Sequence, residues 1–112
     1  MEQSYNLIQN LEKNISEIPP DSIISRTVYQ DNHLKVILFG FAPGQELSEH
    51  TASKKAIIHI LSGKASLLLG SDNYEAGEGT WTQMDPLLPH SIKASTRLTM
   101  LLYLINNSND LS

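Results

Sequence analysis

The stretch Gly44-Gln45-Glu46-Leu47-Ser48-Glu49-His50-Thr51-Ala52, running on through Ala56-Ile57-Ile58-His59-Ile60-Leu61 to Ser62-Gly63, decides how this chain folds. Pro43-Gly44 breaks one strand-like run, Gln45 to His50 resumes it, and Ser62-Gly63 turns the apolar run into the next strand. A second stretch is built in the same style. Gly77-Glu78-Gly79 leads into the strand-like residues Thr80 to Met84, then Asp85-Pro86-Leu87-Leu88-Pro89-His90. His50 and His90 therefore each fall at the edge of a strand, where a small β-barrel can aim an imidazole into its mouth.

Outward from these stretches the pattern stays β. Ser22 to Gln30 is rich in Ile, Thr, Val and Tyr. Asp31-Asn32 supplies turn chemistry, and His33 to Phe41 returns as the second arm of a hairpin. Lys64 to Leu69 is a strand, and Gly70-Ser71-Asp72-Asn73 reverses the chain. Ser91 to Ala94 and Arg97 to Ile105 complete the series. In the last of these, Leu98, Met100, Leu102 and Leu104 share one parity, and Leu101, Tyr103 and Ile105 the other, so both faces are expected to be covered. Only the start differs. Leu7, Ile8, Leu11 and Ile15 recur at helical spacing and predict a short helix that ends before Ile18-Pro19-Pro20. Many short strands with regular turns predict an all-β sandwich or barrel. The expected organisation is a lead-in over residues 1–20, a barrel over 21–106 and a polar tail over 107–112.

Composition narrows the function classes. At 112 residues there is room for one core. The formal charge of −4 and the scattered Lys and Arg residues offer no basic face for phosphates, which reads against nucleic acid. The absence of cysteine excludes disulfides and thiolate metal sites. No apolar run approaches a membrane span, and the N-terminus lacks the basic and apolar regions of a secretion signal. The expectation is a cytoplasmic domain with no nucleic-acid or membrane partner.

From Phe41 to Ile105 the chain resembles a small single-domain cupin of the RmlC-like jelly-roll kind. That family's first motif is Gly, five residues, His, one residue, His, three or four residues, Glu, six residues, Gly. Here Gly44, His50 and Gly63 fall in register, while Ala52 and Ala56 occupy the second His and the Glu positions. The second motif is Gly, five residues, Pro, one residue, Gly, two residues, His. Gly79 and His90 match it, with Asp85 at the Pro position and Leu87 at the inner Gly position. The resemblance implies a double-stranded β-helix, here with a short N-terminal helix in front. It also implies a metal shell of three imidazoles and a carboxylate suited to Fe, Mn, Ni or Zn. Two of those four ligands remain.

His50 and His90 are thus the candidate metal ligands. His59 is a conditional third, because strand parity from residue 56 turns it to the other face unless a bulge intervenes. Gln83, Tyr103 and Glu46 are candidate pocket-lining residues, Gln83 as a buried amide in need of partners. Glu46 and Glu49 flank the first motif and could serve as a general base beside a metal, and Leu87 and Leu88 could form an apolar lid. Trp81, the lone tryptophan, is expected in core or interface. A homodimer is expected through Ser22 to Gln30. Three functions fit these residues: a metal-dependent enzyme, a metal-poor module holding a small organic ligand, and an accessory dimer.

Overall fold

The computed structural model describes residues 4–50 and 53–106, with residues 49 and 50 described in their backbone alone. Among them run nine strands: β1 (Ile23–Gln30), β2 (Leu34–Phe41), β3 (Glu46–His50), β4 (Lys55–Ser62), β5 (Lys64–Leu69), β6 (Asp72–Gly77), β7 (Trp81–Met84), β8 (His90–Ala94) and β9 (Leu98–Ile105). They form a five-stranded sheet in the order β1-β2-β9-β4-β7 and a four-stranded sheet in the order β3-β8-β5-β6. Every pairing is antiparallel.

The two sheets face each other across one apolar core. Phe41, Ile58, Ile60, Met84, Leu98 and Met100 come from the larger sheet, and Ala65, Leu67, Ala76, Ile92 and Ala94 from the smaller. The β9 parity read from sequence is realised, since Leu98 and Met100 join this core while Leu101 and Tyr103 lie on the other side of the sheet.

That other side carries a second cluster. Ile15, Val36, Leu38 and Leu101 are buried there, with Leu11, Ile18, Ile24 and Leu61 packed against them. The lead-in thus covers the outer face of β2 and β9, and full burial of a side chain such as Ile15 contributes about 1.5–3 kcal/mol. Gly40 makes the close approach feasible. A Cβ there would stand 2.7 Å from Ile18 Cδ1 and 2.8 Å from Ile15 Cγ2. Polar contacts fix the same segment. Ser62 Oγ and Thr99 Oγ1 each lie 3.0 Å from Glu12 Oε2 as donors to it, and Arg97 donates to the carbonyl of Ile15 at 3.4 Å.

Two expectations need correcting. The N-terminal helix is a four-residue 3-10 turn, Leu11–Asn14, with no side-chain cap at Asn10. So short a segment does not recover the cost of helix nucleation, and its apolar residues gain more by lying flat on the sheet. A strand also runs where only a turn was read. β6 follows β5 through a two-residue turn at Gly70-Ser71, with Leu69 opposite Asp72. It is an edge strand with only Ala76 buried, so it carries no apolar alternation to announce it.

Candidate functional site

His90 begins β8 and alternates with Ile92 and Ala94, so its ring enters the space between the sheets and is only 7% exposed. Its neighbours across the ladders are Leu69 on β5 and position 50 on β3. The second pairing depends on a bulge. Leu47 pairs with Ile92 and His50 with His90, so β3 spends three steps where β8 spends two. Without the extra residue, position 49 would stand opposite His90. The side chains of His50 and Glu49 lie outside the described residues.

The ring's tautomer follows from its partner. His90 Nδ1 lies 2.9 Å from the carbonyl oxygen of Leu88, which can only accept, so Nδ1 carries the proton and the neutral ring keeps its lone pair on Nε2. A backbone carbonyl holding one nitrogen so that the other can ligate is the usual support of a metal-bound or proton-accepting histidine. Nothing in the sequence announced Leu88 in this role. It arises from the way Asp85-Pro86-Leu87-Leu88 folds back.

That segment is a β-turn closed by Leu88 N donating to Asp85 O at 3.3 Å, with Pro86 second and Leu87 third. Leu87 has φ +73°, the left-handed value that the third position of a type II turn requires and glycine adopts without cost. It is the position where the resembling family has its inner glycine. The expected apolar lid divides in two: Leu87 is 66% exposed, whereas Leu88 is half-buried and packs on the barrel core.

The remaining candidates point elsewhere. Ala56, at the family's carboxylate position, is buried and pairs with Met84 and Leu104. His59 alternates with the core residues Ile58 and Ile60, and the register shift in β4 comes only after Ile60, so the ring stands on the outer face between Leu101 and Trp81. Tyr103 packs in the outer cluster. Gln83 is exposed rather than buried, and its amide donates to Asp85 Oδ1 at 3.0 Å. Glu46 is exposed opposite Lys93, outside the barrel. Trp81 is not a core residue. It is 59% exposed on the edge strand β7. Among the described residues no group of three or more His, Asp or Glu side chains converges as a metal shell.

The architecture has close counterparts among solved structures. A conserved protein of unknown function from Streptococcus pyogenes is 27% identical over 95% of this chain and 92% of its own, with a TM-score of 0.82. A cupin superfamily protein from Desulfitobacterium hafniense reaches the same TM-score, 0.82, at 21% identity over 96% of this chain and 95% of its own. An RmlC-like cupin from Shewanella frigidimarina aligns over 100% of both chains at 14% identity and a TM-score of 0.77. The chain therefore folds as a small cupin jelly-roll. Within that fold, His50 stands in register with the first motif of the resembling family, and Ala52 and Ala56 stand where that motif has its second His and its Glu. No protein-family model matches the sequence, and no curated protein does. Among the described residues no helix is long and apolar enough to cross a membrane.

Proposed function

We propose that this cupin binds a small organic ligand at the His90 end of its barrel. A divalent transition metal (Fe, Mn, Ni or Zn) would be held there by His50 and His90, the ligand's own donors completing its coordination. The observation that carries this reading is His90 itself, a buried imidazole inside an apolar barrel whose Nδ1 proton is committed to the Leu88 carbonyl. The residues present fit a two-imidazole site and not the family's four-ligand shell. A metal so held would act as a Lewis acid toward a carbonyl or carboxylate of the ligand. His50 and His90 would orient it, and the apolar core between the two sheets would limit water.

Elemental analysis of untagged protein, beside His50→Ala and His90→Ala variants checked by circular dichroism, tests the reading. Near-stoichiometric metal in the parent, lost in both folded variants, is the expected result. Failure to retain Fe, Mn, Ni or Zn after reconstitution would overturn the metal half. Ala56, buried where the family carries its carboxylate, favours a second reading, a metal-free module for the same kind of ligand. The proposal also includes a cytoplasmic homodimer paired through β1, an edge strand of the larger sheet. Light scattering during gel filtration should return twice the chain mass, and a monomer at all concentrations would exclude it.

A further inference from the structure

A polar cavity of about 240 Å³ lies where β2 begins and β9 ends, and Gln30, Lys35, Lys54, Leu104 and Asn106 are among its walls. The strand register places three of these on one face, since Gln30 pairs with Lys35 and Lys35 with Leu104. Leu104 pairs with Ala56 and packs with it on the barrel core, so that face is the inner one. Lys54 stands two residues before Ala56 and Asn106 two after Leu104, which continues the same alternation past the Lys55–Ile105 pair. Asn106 N donates to His33 O at 2.9 Å, so the ladder holds to this point. It is also the end of the barrel where β7 closes on Met84, opposite Ala56, and β8 opens on His90.

We infer that this cavity binds a small oxyanion, a carboxylate or phosphate group carried by an organic molecule. Among the described residues neither the Lys35 nor the Lys54 ammonium makes a hydrogen bond or ion pair, and Lys35 is half-buried. An ammonium that loses hydration without a counter-charge is costly, and an anion in the cavity supplies that charge. The one carboxylate in the lining does not. Asp31 accepts from the Tyr29 hydroxyl and from the backbone N–H groups of His33 and Leu34, and it pairs with neither lysine. The lining therefore carries an excess of one positive charge, on a chain whose formal charge is −4. Its rim is also held in place, because the Asn106 amide donates to Asn32 O and ties the hairpin turn to the end of β9. The lining includes neither histidine of the metal reading, so the two sites can be tested apart.

Malonate, inorganic phosphate and the uncharged malonamide can be titrated into the full chain at low ionic strength, by calorimetry and by backbone amide shifts. Malonate, phosphate or both should saturate and shift the amides of Lys35, Lys54 and Asn106, the tighter of the two naming the group recognised, while malonamide does neither. Lys35→Gln and Lys54→Gln should each weaken the anion about fivefold, and added salt should weaken it in the parent. Lys54 is exposed, so its variant keeps the test open if Lys35→Gln fails to fold. Lys64→Gln, an exposed lysine at the start of β5, should change nothing, and His90→Ala should leave the affinity intact. Malonamide binding like malonate, saturable binding of neither anion, or undiminished affinity in the folded lysine variants would each overturn the assignment. So would an equal loss in Lys64→Gln, and a loss confined to His90→Ala would move the anion to the histidine site.

Discussion

Two turns of this barrel share one backbone and differ in the residue that adopts it. In the first, Gln45 N donates to Ala42 O at 3.2 Å, Pro43 stands second, and Gly44 third with φ +85°. In the second, Leu88 N donates to Asp85 O at 3.3 Å, Pro86 stands second, and Leu87 third with φ +73°. An L-residue in the left-handed region costs about 1–2 kcal/mol. The first turn avoids that cost by using glycine. The second bears it, immediately before the buried His90. The comparison shows that a motif position can survive in the backbone after its residue has changed, because the strands on either side dictate the turn. Leu88 has to return to the core, and its carbonyl has to meet the His90 ring.

Gly63 sets the upper limit of what a motif glycine contributes here. It combines φ +93° with a close approach, a Cβ there falling 2.1 Å from the carbonyl oxygen of Arg97. Since that obstacle is backbone, Gly63→Ala should lose about 3 kcal/mol or more in urea denaturation. A loss no larger than that of a Gly44 variant would show that the β4–β5 corner relaxes. Gly40→Ala probes a softer obstacle, the side chains of Ile15 and Ile18, and should cost about 1–3 kcal/mol while loosening the lead-in. Faster amide exchange around Ile15 would confirm where the strain goes.

The two turns themselves can then be exchanged. Around Gly44 a Cβ would meet nothing within 4 Å, so Gly44→Leu should cost only the conformational penalty, about 1–2 kcal/mol. Leu87→Gly should return about 0.5–1 kcal/mol, the relief of φ strain less the entropy of the added glycine. If Leu87→Gly is instead destabilising, the exposed leucine has a contact that outweighs its strain, which a partner surface would supply.

The smallest effect is expected at the β1–β2 turn. Asp31 accepts from the Tyr29 hydroxyl at 2.6 Å and from the backbone N–H groups of His33 and Leu34. The Tyr29 bond, then the backbone bond from His33, hold its carboxyl below the usual range, and the same contact raises the Tyr29 phenol. A depressed carboxylate stabilises the fold above its unfolded pKa of about 3.9, and that contribution fades as pH falls through the lower folded value. Thermal melts of the parent and Asp31→Asn should therefore differ slightly at neutral pH and converge in acid. A gap that persists at low pH would mean that packing, not charge, distinguishes them.

Much of the barrel was legible because its signals are local. Turn residues at Pro43-Gly44, Ser62-Gly63 and Gly77-Gly79 punctuate the strands, and the β9 parity follows from the two-residue period. The parity argument that turned His59 from the interior needed only the regular run Ala56 to Ile60, and the structure has that regularity. What escaped has no local signal. β6 is held as a strand by pairing with β5, despite polar, exposed residues. The lead-in has a helical pattern but packs Leu11, Ile15 and Ile18 on the sheet and leaves Leu7 and Ile8 exposed.

The sequence by itself determined an all-β cupin barrel, the in-register glycines and two histidines, and the absence of the usual carboxylate at Ala56. The strands and turns follow from side-chain chemistry and strand period, which act over a few residues, and the cupin reading with its motif positions follows from the resemblance of the two motifs. Only the tertiary structure decided that a bulge sets position 50 opposite His90, that Leu88 O holds the His90 tautomer, and that Leu87 bears a glycine's conformation. Each depends on how two segments distant in sequence are forced to meet. The packing of the whole barrel, and no residue's own preference, sets those meetings.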